Sequence, residues 1–155
     1  MSRAAVPVTV SADERTQIRW ILEHCTTIAV IGLSSNSHKD SYIVAHHLRR
    51  QGYDLIPINP TATVILEQPA FSALSTLPTD VAARVQLVLI FRPSEEVRQI
   101  VDGALTSLPN LLAIWTQKGI VDEPAAARAR AAGRLVIQDR CIRTQHLFMK
   151  FGPPA

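Results

Sequence analysis

An α/β fold with a doubly wound, mainly parallel five-stranded sheet and helices on both faces is what this sequence of 155 residues predicts. Three observations carry that expectation. Short apolar runs rich in Val, Ile and Leu recur at 27–31, 53–58, 85–91, 111–116 and 135–137. Within them the apolar character is close to continuous, as it is in parallel strands covered on both faces. Helical patterns separate the runs, and each run leaves into a polar loop.

The stretch 26–60, TTIAVIGLSSNSHKDSYIVAHHLRRQGYDLIPINP, reads as one complete strand, loop, helix, strand unit. Gly32 ends its first strand, a loop of Ser, Asn, His and Lys follows, and a helix opens near Ser41. The crossover helix makes the two strands parallel and brings the loop to the carboxyl edge of the sheet, where open α/β folds bind ligands.

The remaining elements follow in order. Residues 1–10 read as a flexible arm. Ser11 is placed as an N-cap with Glu14 completing a capping box, so a helix is expected over 12–23. Ile18, Ile21 and Leu22 form its buried stripe, with Trp20 at the edge. Between Pro60 and Pro69 the apolar piece 64–66 reads as a loop with one helical or extended turn, and 71–77 as a short helical segment or packed turn closed by Pro78. Ser94, backed by Glu95 and Glu96, starts a helix in which Val97, Ile100, Val101 and Ala104 recur at helical spacing. Gly119 turns the chain, Glu123 and Pro124 start an alanine-rich helix over 122–132, and Gly133 caps it. Residues 142–150 read as a short irregular or helical segment and 151–155 as a tail, which leaves 11–150 as a single domain.

Composition narrows the function. Hydrophobic residues make up 47% and charged residues 19%, as in an ordinary domain with a real core. The net charge is +3, but Lys and Arg are scattered and aromatics reach only 5%, which argues against a nucleic-acid partner and suits a small anionic ligand. No apolar run approaches the roughly 20 residues of a membrane span. The start, MSRAAVPVTVSADE, lacks the apolar core of a signal peptide, so a cytoplasmic protein without membrane contact is expected. In that setting Cys25 and Cys141 predict no disulfide, and neither has metal-site spacing.

Five strand exits converge on the presumed site: 32–40, 59–62, 92–94, 117–119 and 139–141. In the first, Gly32 permits close backbone approach, and Ser34, Ser35, Asn36, Ser37 and Lys39 precede the helix at Ser41. Hydroxyls, amides and a helix N-terminus suit a phosphate or pyrophosphate; the plain alternative is a polar loop with an N-cap serine. A dinucleotide fingerprint would need two further glycines and an acidic residue closing the second strand. Here the turn reads Gly32, Leu33, Ser34, Ser35, Asn36, Ser37, and the second strand closes in Asn59 and Pro60. NAD therefore loses both of its markers, and a different phosphate-bearing nucleotide is favoured.

Other residues keep two readings each. Arg92 is a phosphate contact or a support for the following helix. Trp115 is core packing or a stacking platform, and His38 a ligand contact or a surface residue. Cys141, after Asp139 and Arg140, is a thiol activated by nearby positive charge or a small buried residue. His24, His46, His47 and His146 are not paired with a Ser or Cys at a catalytic spacing, and no catalytic or metal residue is assigned.

The segments IAVIGLSS, SYIVAHHLRRQGYDLIPINP, VILEQPAFSALSTLP, VQLVLIFRPSEEV, WTQKGIVDEPAAARARAAG and IQDRC together make the chain similar to small bacterial CoA-binding proteins. These in turn resemble the CoA-binding domain of the succinyl-CoA synthetase α subunit. The resemblance implies a Rossmann-like fold holding CoA or an acyl-CoA along the carboxyl edge. It implies Gly32, Ser34 and Ser35 near the phosphates with Lys39, Ser41 and Tyr42 close by, and Asn59, Pro60, Phe91, Arg92 and Pro93 around the adenosine end. Ile114, Trp115, Gln117 and Gly119 would line the pocket toward the pantetheine arm. Thr116 and Lys118 stand where the family commonly has apolar residues, and Glu67 replaces a usual glycine. The synthetase's second domain and partner subunit have no counterpart here, so ligase chemistry is not expected. The expected function is binding of a small-molecule CoA thioester; no protein partner is specified. The alternatives are a redox switch forming a mixed disulfide between Cys141 and CoA, and a degenerate nucleotide fold serving as an interaction module.

Overall fold

The computed structural model describes residues 12–152. Five parallel strands form the main sheet: β1 (Thr27–Ile31), β2 (Asp54–Ile58), β5 (Leu87–Ile90), β6 (Ala113–Thr116) and β7 (Leu135–Ile137). Their order is β2-β1-β5-β6-β7. The chain starts near the middle, steps out to β2, then returns to the other side of β1, which creates a switch point between β1 and β5. At the carboxyl edge such a point is a natural crevice, because the flanking loops diverge.

The two-residue period of a strand divides the core into two layers. Ile28, Val30, Leu87, Leu89, Ala113, Trp115, Leu135 and Ile137 face one layer. It is covered by α1 (Glu14–His24), α2 (Asp40–Arg50) and α6 (Ile142–Phe151). Ala29, Ile31, Val88, Ile90, Ile114 and Val136 face the other. There α3 (Thr79–Arg84), α4 (Ser94–Ser107) and α5 (Glu123–Ala131) supply the cover. This is the doubly wound, Rossmann-like arrangement that the continuous apolar runs predict.

Four local readings need adjustment. The first helix begins at Glu14, two residues later than expected, because Asp13 accepts the Thr16 amide at 2.7 Å and is itself the N-cap. Ser11 and the arm 1–10 lie outside the described residues, as do 153–155 of the expected tail. Residues 64–69 form a hairpin, β3 (Val64–Ile65) with β4 (Gln68–Pro69), where a loop with a single turn was expected. Helix α3 follows Pro78 directly: proline, expected to close a segment, also serves as the N-cap of the next one. The final segment is a ten-residue helix, α6, that extends to Phe151 and packs on both α1 and α2.

The hairpin turns through Leu66 at φ 51° and Glu67 at φ 63°, with the Arg49 guanidinium donating to the Leu66 carbonyl. Such turns favour Asn-Gly, since both central residues are left-handed. Glu67 therefore bears a steric cost, and its 4.0 Å contact with Arg49 recovers little because the carboxylate is 89% exposed. Glu67→Gly should raise unfolding stability by about 0.5–1 kcal/mol, measured by urea denaturation.

Helices α2 and α6 meet through a histidine pair: His47 Nε2 and His146 Nδ1 lie 3.1 Å apart, with the Tyr53 ring edge-on to His146. One ring donates and the other accepts, so the contact cannot survive protonation of both. Burial holds both imidazoles below the usual value of 6.5, and the charges acting on them, Arg143 and Lys150, are positive. A histidine with a lowered folded pKa contributes stability that is fully present above the unfolded value and is lost as pH falls through the lowered folded value. The melting temperature should therefore fall between pH 7.5 and 5.5, and His146→Phe should flatten that fall.

Candidate functional site

The crevice at the switch point is a cleft of about 660 Å³. Ile31, Gly32 and Ser34 from the β1 exit and Ile58, Asn59, Pro60 and Thr61 from the β2 exit form one side. Residues 72–75 close a second side, and Arg92 with α4 residues Glu96, Gln99, Ile100 and Gly103 closes the third.

Gly32 governs how near the β1 exit comes to the β5 exit. Its φ is +83°, and a Cβ there would stand 2.8 Å from Arg92 Cδ. Beyond it, Ser34 donates its amide to Ser41 Oγ at 3.0 Å, while Ser34 Oγ accepts the Asn36 amide at 3.0 Å. Asn36 Oδ1 then accepts the His38 amide at 2.9 Å. Among the described residues, the amides of Leu33, Ser35 and Ser37 form no backbone or side-chain hydrogen bond. Unused amides beside the start of α2 can receive an anion.

Asn59 ties the first two exits together. Its Nδ2 donates to the Leu33 carbonyl at 2.9 Å, and its Oδ1 accepts the amides of Thr61 and Ala62, both at 2.9 Å. The side chain thus shapes the cleft wall while bonded through both its amide nitrogen and its oxygen. Arg92 lies over Gly32 and binds Glu96 twice, Nε to Oε1 at 3.2 Å and Nη2 to Oε2 at 2.8 Å. About half of the guanidinium side chain is exposed, so it retains access to a ligand.

Of the residues singled out in the sequence, Gly32, Ser34, Asn59, Pro60 and Arg92 meet in this cleft. Ser35 and Lys39 are exposed on the same loop; Tyr42 is half-buried on α2, and Ser41 is buried as the anchor of Ser34. Phe91 packs against the first core layer, and Pro93 caps α4. Ile114 and Trp115 are fully buried, at 1% and 0% exposure, so their side chains support the sheet and do not line a pocket. Trp115 Nε1 donates to the Arg140 carbonyl at 2.8 Å, which resolves its two readings in favour of packing.

At the fourth and fifth exits, Gln117 is buried and its Oε1 accepts the Ile142 amide at 2.9 Å, anchoring the start of α6. Gly119 donates its amide to Asp139 Oδ1 at 2.6 Å, and Thr116 Oγ1 accepts the Asp139 amide. Thr116 is thus a tie between neighbouring exits, while Lys118 is exposed. Cys141 is half-buried at the N-cap of α6. Burial raises its pKa, but hydrogen bonds from Thr144, Gln117 and the Arg143 amide outweigh that, and the thiol ends below its ordinary value. Cys25 is the contrast: burial alone pushes it up to about 12.

Sequence reading missed residues 72–75 and the α4 face. A β-bridge between Ile58 and Phe71 brings the former beside the β2 exit, a non-local pairing without a local signal. Glu96, Gln99, Ile100 and Gly103 do share a helical face, so their spacing could have placed them beside the buried stripe of Val97, Val101 and Ala104. No group of three or more potential metal ligands and no helix able to cross a membrane occurs among the described residues.

Strand order, double winding and a crevice at the switch point define a protein of the Rossmann-like class. More narrowly, the chain belongs to the CoA-binding domain family, whose model matches residues 26–146. The uncharacterized protein YneT of Bacillus subtilis is 33% identical over 137 residues, spanning 88% of this chain and 96% of that protein. A hypothetical protein from Pyrococcus horikoshii has a similar fold, with a TM-score of 0.81 at 22% identity over 95% of this chain and 99% of its own. A domain-sized similarity reaches an acetyl-coenzyme A synthetase from Ca. Korarchaeum cryptofilum, with a TM-score of 0.57 at 22% identity over 72% of this chain and 25% of that one.

Proposed function

We propose that this protein binds CoA or an acyl-CoA at the carboxyl edge of the sheet, without ligase chemistry of its own. The observation that carries the reading is the switch-point cleft, where Gly32 and Ser34 of the β1 loop share the lining with Arg92 and α2 begins behind the loop. Family membership supplies the ligand class. In this reading Gly32, Ser34 and Ser35 lie near the phosphates, with Lys39 and Tyr42 at the rim and Ser41 holding the loop. Asn59, Pro60, Phe91, Arg92 and Pro93 frame the adenosine end, and Gln117 and Gly119 border the pantetheine path above buried Ile114 and Trp115. Arg92 would exchange part of its Glu96 pairing for a phosphate, a charge-assisted bond of comparable geometry.

Titration calorimetry with CoA, NAD, NADP and ATP tests this. CoA should give saturable heat, and Arg92→Ala should weaken it about ten-fold, as loss of one charge-assisted contact does, with little change in melting temperature. Absence of heat with CoA and its short acyl esters, alongside clear NAD binding, would overturn the reading.

A second reading is favoured by the lowered pKa of Cys141 at the fifth exit. The thiolate would attack one sulfur of oxidised CoA, forming a protein–CoA disulfide and releasing one CoA thiolate. Intact mass after treatment with oxidised CoA should then increase by one CoA. Cys141→Ser should abolish the adduct and Cys25→Ser should retain it; an adduct that persists in Cys141→Ser removes this reading.

A further inference from the structure

A second groove, of about 410 Å³, opens between α1 and α6, away from the switch-point cleft. Ile18, Phe148 and Met149 provide apolar lining, while Arg15, Arg19 and Arg140 stand against a single carboxylate, Glu14. Glu14 pairs with Arg140 at 3.3 Å, and Arg19 contacts Glu23 at 3.7 Å. Arg15 is exposed and forms no ion pair among the described residues. Apolar lining with excess positive charge suits a short hydrocarbon chain ending in an anion.

Arg140 places one end of the groove beside the sheet edge. Arg140 follows the β7 exit, its carbonyl accepts Trp115 Nε1, and Gln117 holds the start of α6 beside it. In the order β2-β1-β5-β6-β7, the β7 exit lies three strand spacings from the β1 loop. At strand separations of 4.7–4.9 Å that is about 14 Å, within the span of an extended pantetheine arm. A ligand with its phosphates on the β1 loop has the reach to bring its thioester to the head of this groove.

We propose that the α1–α6 groove is an acyl subsite for a thioester whose acyl group ends in a carboxylate, with Arg15 as the carboxylate partner. The proposal rests on the CoA reading and adds the substrate class to it. Apolar methylenes would lie against Ile18 and Met149, and the distal carboxylate would reach Arg15, the groove arginine that forms no ion pair among the described residues. Glu14 keeps Arg140 engaged and disfavours a second anion at the groove mouth.

Glutaryl-CoA and pentanoyl-CoA have five-carbon acyl chains and differ at the far end, so competition between them isolates the carboxylate. Glutaryl-CoA should bind about ten-fold more tightly than either pentanoyl-CoA or CoA, the scale of one exposed charge-assisted contact. Arg15→Gln should remove that preference and Arg15→Glu should reverse it, both with unchanged affinity for CoA and an unchanged melting temperature. Equal affinities for the two thioesters in the wild-type protein, or a preference that survives both substitutions, overturn the subsite while leaving CoA binding intact. Failure of CoA and both thioesters to bind removes the CoA reading and the subsite together.

Discussion

Burial of β1 and β5 on both faces is the constraint from which the rest of the structure follows. All five residues of β1 and all four of β5 are buried, so neither strand can offer a polar face to water. The sheet must then be covered twice, and the crossovers that provide the cover make the strands parallel. Parallel strands place all their exits at one edge. Ligand access there is a consequence of how the hydrophobic layers close.

The polar side chains at that edge serve mainly to hold the loops. Asn59 spans the first two exits, Ser41 anchors Ser34, Thr116 ties the fourth exit to the fifth, and Gln117 holds the start of α6. Each is partly or wholly removed from water, where an unmet polar group costs more than a satisfied one contributes. With these groups already paired, the β1 loop keeps backbone amides and the exposed Lys39 side chain for an anion.

Helix α6 connects several of these features. Its first amide is bound by Gln117, its Cys141 cap faces the same exits, and its middle meets α2 through the His47–His146 contact. Helix α2 in turn begins at the Ser34 loop. Protonation at the histidine pair therefore acts on two helices whose first turns border the carboxyl edge. The same α6 forms one wall of the α1–α6 groove, so its docking shapes that cavity.

The main sheet was legible in the chain because continuous runs such as TIAVI and LVLI admit few alternatives to strands covered on both faces. The capped α5 was equally local: Asp122, Pro124 and Gly133 carry its boundaries. Gly32, Ser34, Asn59, Pro60 and Arg92, which line the cleft, were legible as a group because each lies in the loop that leaves a strand. The turn at Leu66 and Glu67 was not, since packing forces those residues into a conformation their side chains disfavour. Nor were 72–75, the burial of Trp115 or the pairing of His47 with His146, residues 99 positions apart. By itself, the sequence determined the strands, their cover and the edge where their loops meet, because propensity and periodicity are local. Only the tertiary structure decided which side chains were consumed in holding that edge, and which cavities remained beside it, because those outcomes depend on contacts between distant segments.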